Sequence, residues 1–291
     1  MAERAPLSAP LPSRRGVLGA AAALAGAALA APWPARAAPP LPNDPRPAPP
    51  WAWRSRFTEG LADWPGRGAV WGAQNQQFLP AQGVPGRLLR VALQRGGIDP
   101  ASMRQRGLPP SGTGFKARVL AAGSDAATLR YRLRFGEHFE FVRGGKLPGL
   151  FGGLGPSGGQ VPNGHDGFSL RLMWRERGLG EVYAYLPISR VHGTSLLAGR
   201  FGFVPGRWHE VVQSVRLNTP GQEDGLLALW LDGVLVGSLL NLRLRDTPAL
   251  QLEGVFFDVF FGGNDDSWAP RADTHIDFAD FALATDARGP R

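Results

Sequence analysis

The chain has 291 residues, with 32 Lys and Arg against 24 Asp and Glu, 40 Gly, 27 Pro and no cysteine. That Gly and Pro content beside 43% hydrophobic and 10% aromatic residues excludes a helical bundle, collagen and a disordered body, and favours short strands joined by many turns. With no cysteine there is no disulfide framework, thiol nucleophile or thiolate metal site, and a net charge of +8 suits a polyanionic partner while falling short of a nucleic-acid binder.

In chain order, the first expectation is a targeting signal. Ser13-Arg14-Arg15-Gly16-Val17-Leu18 is a twin-arginine pattern, and the Ala- and Leu-rich stretch over residues 17–31 follows it. Ala35-Arg36-Ala37 then reads as a cleavage site. The apolar stretch is shorter than the about 20 residues a membrane helix needs, so residues 1–37 read as a twin-arginine signal peptide and the mature protein as periplasmic or secreted. Residues 38–50 hold seven prolines and read as an extended linker. Residues 51–291 then form one domain with no visible repeat, expected as a monomer.

Within that domain, Leu129, Tyr131, Leu133 and Phe135 alternate with Arg130, Arg132 and Arg134, which predicts a strand with one apolar and one basic face. Residues 139–143 are expected to continue it. Residues 168–175 and 181–186 alternate again, and further strands are predicted over 208–217, 226–231, 234–240, 255–261 and 275–283. Asp232-Gly233 supplies a hairpin turn between two of them. The expected fold is all-β, an antiparallel two-sheet sandwich of jelly-roll type whose concave sheet is the natural ligand face.

The hairpin over residues 168–186 carries the most chemistry. A five-residue loop over 176–180 would place Arg175 opposite Glu181, Met173 opposite Tyr183 and Arg171 opposite Tyr185. Ser169, Arg171, Tyr183 and Tyr185 would then share one face, while Phe168, Leu170, Leu172, Trp174, Val182, Ala184 and Leu186 form the core face. An arginine fork beside two tyrosines suits an acidic sugar, because the fork grips a carboxylate and the phenols bond hydroxyls or move protons. A solvated polar face is the plainer alternative, but two of the chain's three tyrosines lie in this one strand.

Ahead of it, Arg143-Gly144-Gly145-Lys146-Leu147-Pro148-Gly149 surrounds one of only two lysines with glycines that let the backbone bend sharply. Lysine can give up its proton when burial or nearby cations lower its pKa, which arginine cannot. The pattern lacks the Gly-Lys-Ser/Thr ending of a phosphate loop, so the choice is between a surface-loop lysine and a catalytic one. Gly155-Pro156-Ser157-Gly158-Gly159 matches a nucleophile-elbow pattern in a setting that has no elbow. The five histidines show no metal-ligand spacing, and Asn264-Asp265-Asp266 reads as a turn before a calcium site. No strand carries the paired carboxylates of a glycoside hydrolase.

From about Tyr131 to Phe281 the chain resembles polysaccharide lyase family 14, the alginate lyases and their glucuronan-cleaving relatives. Gly144-Gly145-Lys146-Leu147-Pro148-Gly149-Leu150 carries the resemblance, with Ser169-Leu170-Arg171-Leu172-Met173-Trp174-Arg175, Gly180-Glu181-Val182-Tyr183-Ala184-Tyr185, Phe260-Phe261-Gly262-Gly263 and Trp268. Asp258 departs from the pattern where a small hydroxyl residue is expected. The resemblance implies a jelly roll that cleaves an acidic polysaccharide by β-elimination without a metal or organic cofactor. On it, Arg171 and Ser169 bind the substrate, Lys146 is the base or charge stabiliser, Tyr185 the acid, and Tyr183 positions the sugar or shares the proton work, while Arg143, three residues before Lys146, is a further substrate-binding candidate. A non-catalytic carbohydrate-binding protein of the cell envelope is the alternative.

Overall fold

The computed structural model describes residues 51–285. The twin-arginine pattern, the cleavage site and the linker lie outside the described residues. Fourteen strands are described: β1 (Trp53–Ser55), β2 (Gln76–Pro80), β3 (Arg87–Leu93), β4 (Thr113–Ala117), β5 (Ala126–Phe135), β6 (Gly144–Gly153), β7 (Gly167–Arg175), β8 (Gly180–Tyr185), β9 (Thr194–Leu196), β10 (Trp208–Arg216), β11 (Gly225–Leu231), β12 (Val234–Leu242), β13 (Gly254–Phe261) and β14 (Thr274–Ala284). One short helix, α1 (Pro100–Gln105), starts where Asp99 accepts hydrogen bonds from the Ala101 and Ser102 amides, with Pro100 in the first turn.

The strands form two antiparallel sheets, ordered β12-β11-β10-β5-β14-β3-β2 with β1 on β14, and β4-β13-β6-β7-β8-β9. Their facing sides make one core. Alternation sets the faces: Leu129, Tyr131, Leu133 and Phe135 from β5 meet Phe168, Leu170, Leu172 and Trp174 from β7 and Phe257, Val259 and Phe261 from β13. Each such side chain contributes roughly 1.5–3 kcal/mol on burial. On the outer face of the first sheet the arginines of β5 find partners instead of solvent, Arg130 with Asp280 at 2.6 Å and Arg134 with Asp277 at 2.8 Å. Asp232 and Gly233 turn β11 into β12 with φ of 53° and 79°, the left-handed pair the Asp-Gly signal predicts.

Two expectations fail. Residues 139–143 do not continue β5: the chain turns at Gly136, and Phe139 and Phe141 fold back onto Phe135 and Trp174, closing one end of the core. Burial of these rings outweighs continuation of the strand. The glycine-rich segment over 144–153, in turn, is not a loop but β6, paired to β13 on one side and β7 on the other. Its glycines make room for neighbours rather than bends. A Cβ on Gly145 would lie 2.2 Å from the Trp174 ring, and one on Gly149 2.1 Å from the Leu170 carbonyl oxygen.

β6 bulges at Pro148, where the register to both neighbours shifts. Proline has no amide to give the ladder, and the carbonyl left over is taken by the Tyr131 hydroxyl, which reaches across the core to donate at 2.9 Å. Gln213 of β10 also crosses the core, accepting from the Leu150 amide at 2.9 Å and donating to the Leu170 carbonyl at 2.7 Å. Lys146 therefore stands two residues before an irregularity that the opposite sheet holds in place.

Candidate active site

The outer face of the six-stranded sheet carries a cleft of about 1190 Å³. Drug-sized pockets span about 300–1,000 Å³, so this one accommodates several sugar units. β4, β6, β7, β8 and β13 supply its floor. Bridges from Arg67 to Ala117 and from Trp71 to Gly114 bring residues 66–71 alongside β4 as one wall, and Asn264 and Trp268 stand on another. Arg67, Lys116, Arg118, Lys146, Arg171 and Arg175 line it against two carboxylates, Asp99 and Asp258, so it is built for an anion. Both lysines of an otherwise all-arginine chain lie here.

The pairing explains the arrangement. Arg171 lies opposite Tyr183, Ser169 opposite Tyr185 and Met173 opposite Glu181, two residues away from the expected register. The turn comes one residue early: the Arg175 amide donates to the Leu179 carbonyl at 2.6 Å, and Arg177 takes the left-handed region with φ of 59°. Because the slip is even, every residue keeps its expected face. On the other side of β7, Lys146 pairs with Met173 and with Phe260, and Gly149 pairs with Arg171 and with Phe256.

Lys146 is half-buried, its Nζ donating to the Met173 thioether at 2.8 Å and lying 4.1 Å from the centre of the Tyr183 ring. Burial, and after it the positive charges of Arg171 and Arg175, hold its pKa well below 10.5, with Glu181 and Asp258 pulling the other way. Such an amine is available as a base nearer neutral pH. Tyr183 is pushed up to about 12 by burial and by the adjacent Tyr185 phenol, so it keeps its proton. The two rings meet edge to face at 5.7 Å, and the Tyr185 hydroxyl accepts from the Gly159 amide at 3.2 Å.

Arg171 is almost fully buried and gives Nη1 to Asp258 at 2.6 Å, its guanidinium 4.4 Å from the centre of the Phe256 ring. The expected residues thus divide. Lys146, Arg171, Tyr183 and Tyr185 converge on the cleft, whereas Ser169 and Arg143 do not line it. Ser169 is fully buried and its hydroxyl donates to the Pro156 carbonyl at 2.7 Å, tying down the loop that follows β6. Arg143 donates to Ser267 at 2.7 Å and stacks on Trp268, supporting the wall from behind. The arginines whose charges bear on Lys146 are Arg171 and Arg175.

Met173, Arg175, Lys116 and Phe256 were not singled out by the sequence reading. For the first two the signal was there, since alternation from Arg171 puts both on its face. Lys116 stood out only as the second lysine, on a strand too short and glycine-rich to be predicted. Asp265 caps the turn over Asp266–Trp268 by accepting from the Ser267 amide at 2.9 Å, in keeping with a turn at Asn264-Asp265-Asp266. Among the described residues no three His, Asp or Glu side chains converge as a metal site would require.

Two antiparallel sheets with an arginine, lysine and tyrosine face inside a cationic cleft define a β-jelly roll with an anion-attracting site. The protein belongs to polysaccharide lyase family 14, whose family model matches residues 84–281, and it is a polysaccharide lyase. The structure is similar to the family-14 alginate lyase from Aplysia kurodai, at 30% identity and a TM-score of 0.70 over 81% of this chain and 99% of that one. An alginate lyase from Chlorella virus aligns at 22% identity and 0.65 over 78% and 95%, and the endo-β-1,4-glucuronan lyase of Trichoderma reesei at 13% and 0.53 over 76% and 91%, likenesses of fold. No curated protein matches the sequence.

Proposed function

We propose that the protein cleaves a polyuronate, alginate or glucuronan, by β-elimination without a metal ion. The observation that carries this reading is the setting of the half-buried Lys146 amine, against the Tyr183 ring and beside Arg171 and Arg175 in a cleft lined by cations, where burial and those charges lower its pKa. The alginate and glucuronan lyases of similar fold support the substrate class.

Elimination needs a neutralised uronate carboxylate, a base for the C5 proton and an acid for the departing oxygen. Arg171 faces the carboxylate and makes C5–H acidic. Lys146, as the free amine, takes that proton, the C4–O bond breaks as C4=C5 forms, and a tyrosine gives its proton to the leaving oxygen. Tyr185 is assigned that donation, with Tyr183 holding the sugar and sharing the proton work. The cationic charge that a metal ion could supply is supplied by guanidinium and ammonium groups. Export by the twin-arginine route belongs to the same reading and rests on Ser13-Arg14-Arg15.

The test is incubation with alginate and with glucuronan, before and after a chelator. Short-wave ultraviolet absorbance from an unsaturated product end should rise, equally in both cases. Binding with no product would favour a carbohydrate-binding module, and activity lost to the chelator and restored by a divalent cation would overturn metal independence.

A further inference from the structure

Asp258 puts a carboxylate on the floor of a cleft made for a polyanion. β6 lies between β7 and β13, so Arg171 and Asp258 are not on neighbouring strands. They meet across Gly149, which pairs with Arg171 on one side and Phe256 on the other, and where a Cβ would come 2.1 Å from the Leu170 carbonyl oxygen and 2.7 Å from the Arg171 Cα. Asp258 in turn lies above Gly114, where a Cβ would come 2.0 Å from its Oδ1. Gly149 thus lets β6 and β7 approach closely beneath the pair, and Gly114 makes room for its carboxylate. Both partners are nearly closed to solvent, at 2% and 8% side-chain exposure. Arg171 Nε has no hydrogen-bond partner among the described residues, so Asp258 supplies its one charged anchor.

We propose that Asp258 is a positioning residue for the elimination: it draws the Arg171 guanidinium across Gly149 and sets the balance of charge around Lys146. The inference rests on the proposed function. Removing one partner of a buried ion pair leaves the other uncompensated and free to swing. Lys146 is faced by Arg171, Arg175 and Met173 from β7, by Glu181 and Tyr183 from β8, and by Asp258 and Phe260 from β13. Glu181 is committed to Arg175 at 2.6 Å, which leaves Asp258 as the carboxylate that offsets Arg171. Burial raises the pKa of Asp258 from its ordinary value, with Arg171, Lys116 and Lys146 opposing the rise, and the 2.6 Å contact is as short as a charge-assisted hydrogen bond.

The experiment exploits the lysine count. With only Lys116 and Lys146 in the chain, protein carrying ¹³C at lysine Cε gives two side-chain NMR signals, assigned with Lys116→Arg. In Asp258→Asn the Lys146 titration and the rising limb of the pH profile on polyuronate should move together to lower pH by about half a unit or more, less than the 1–3 units of a direct contact. The kcat should fall by about tenfold or more as Arg171 loses its place. Asp258→Ser, which is smaller above Gly114, gives the same reading if the amide disturbs the fold. A folded, active variant with an unmoved Lys146 titration and profile would overturn the role of Asp258 alone. A wild-type chain inactive on every polyuronate would overturn the proposed reaction and the positioning role with it.

Discussion

At the scale of single residues, the account turns on which groups hold protons. Lys146 sits well below 10.5, so its neutral fraction grows through the pH range beneath the free-lysine value, and a reaction that needs the free amine must speed up across that range. The predicted kcat/KM profile therefore rises with pH below 10.5. Lys146→Arg keeps the charge but cannot release the proton and should be nearly inactive, as should Lys146→Ala. An active Lys146→Arg enzyme with an unchanged profile would move the proton chemistry to the tyrosines. Tyr185→Phe keeps the ring and loses the acid, so kcat should fall by about 10²-fold or more with KM little changed. Arg171→Ala should raise KM and lower kcat together, measured by initial rates on the same substrate.

These four residues were legible in the sequence because period-2 alternation and two scarce residue types, lysine and tyrosine, mark them. Ser169 and Arg143 were read as substrate-binding residues for sound reasons of type and position. What alternation could not show is that the Ser169 hydroxyl donates to the Pro156 carbonyl and the Arg143 guanidinium stacks on Trp268, outside the lining of the cleft. Those partners come from loops, whose path no periodic pattern records.

At the scale of elements, β6 matters most, and its glycines hid it. A strand read from the sequence needs branched or aromatic residues, and β6 instead lends space to them, with Trp174 over Gly145 and Phe168 over Gly152. Gly145→Ala would drive a methyl group into the Trp174 ring and should destabilise the fold by about 1–3 kcal/mol in denaturant melts. The Pro148 bulge depends on Tyr131 and Gln213 from the opposite sheet. Tyr131→Phe strands the Pro148 carbonyl in the core, a cost of about 1–3 kcal/mol, and because Lys146 is two residues away it should lower kcat as well. A melt that shifts with kcat unchanged would show that the bulge serves stability only. The hairpin of β7 and β8 shows the opposite case, in which the turn was misplaced by one residue yet the faces were right, because the slip of register was even.

At the scale of the whole molecule, the two sheets have different tasks. The first closes the core and neutralises its outer arginines internally, in pairs such as Arg90 with Asp277 and Arg130 with Asp280. The second turns its cations into the cleft, where Asp99 and Asp258 are the carboxylates of the lining and Glu181 and Glu253 hold Arg175 and Arg118. The sandwich was legible from turns and alternation, and the arginine beside two tyrosines on one face was legible too, which is what the proposed polyuronate would meet. The cleft was not, because its walls come from residues 66–71 and the turn over Asp266–Trp268, which have no strand pattern.

The central claim is that this cleft eliminates and does not hydrolyse. The most direct test is the reaction on a polyuronate in ¹⁸O-labelled water with mass spectrometry of the oligosaccharides. Elimination breaks the chain without adding solvent oxygen, so the new non-reducing ends should be unsaturated and one water lighter than hydrolysis products, with no ¹⁸O introduced at the moment of cleavage. Saturated products, with one ¹⁸O atom taken up for each bond cut, would contradict the account.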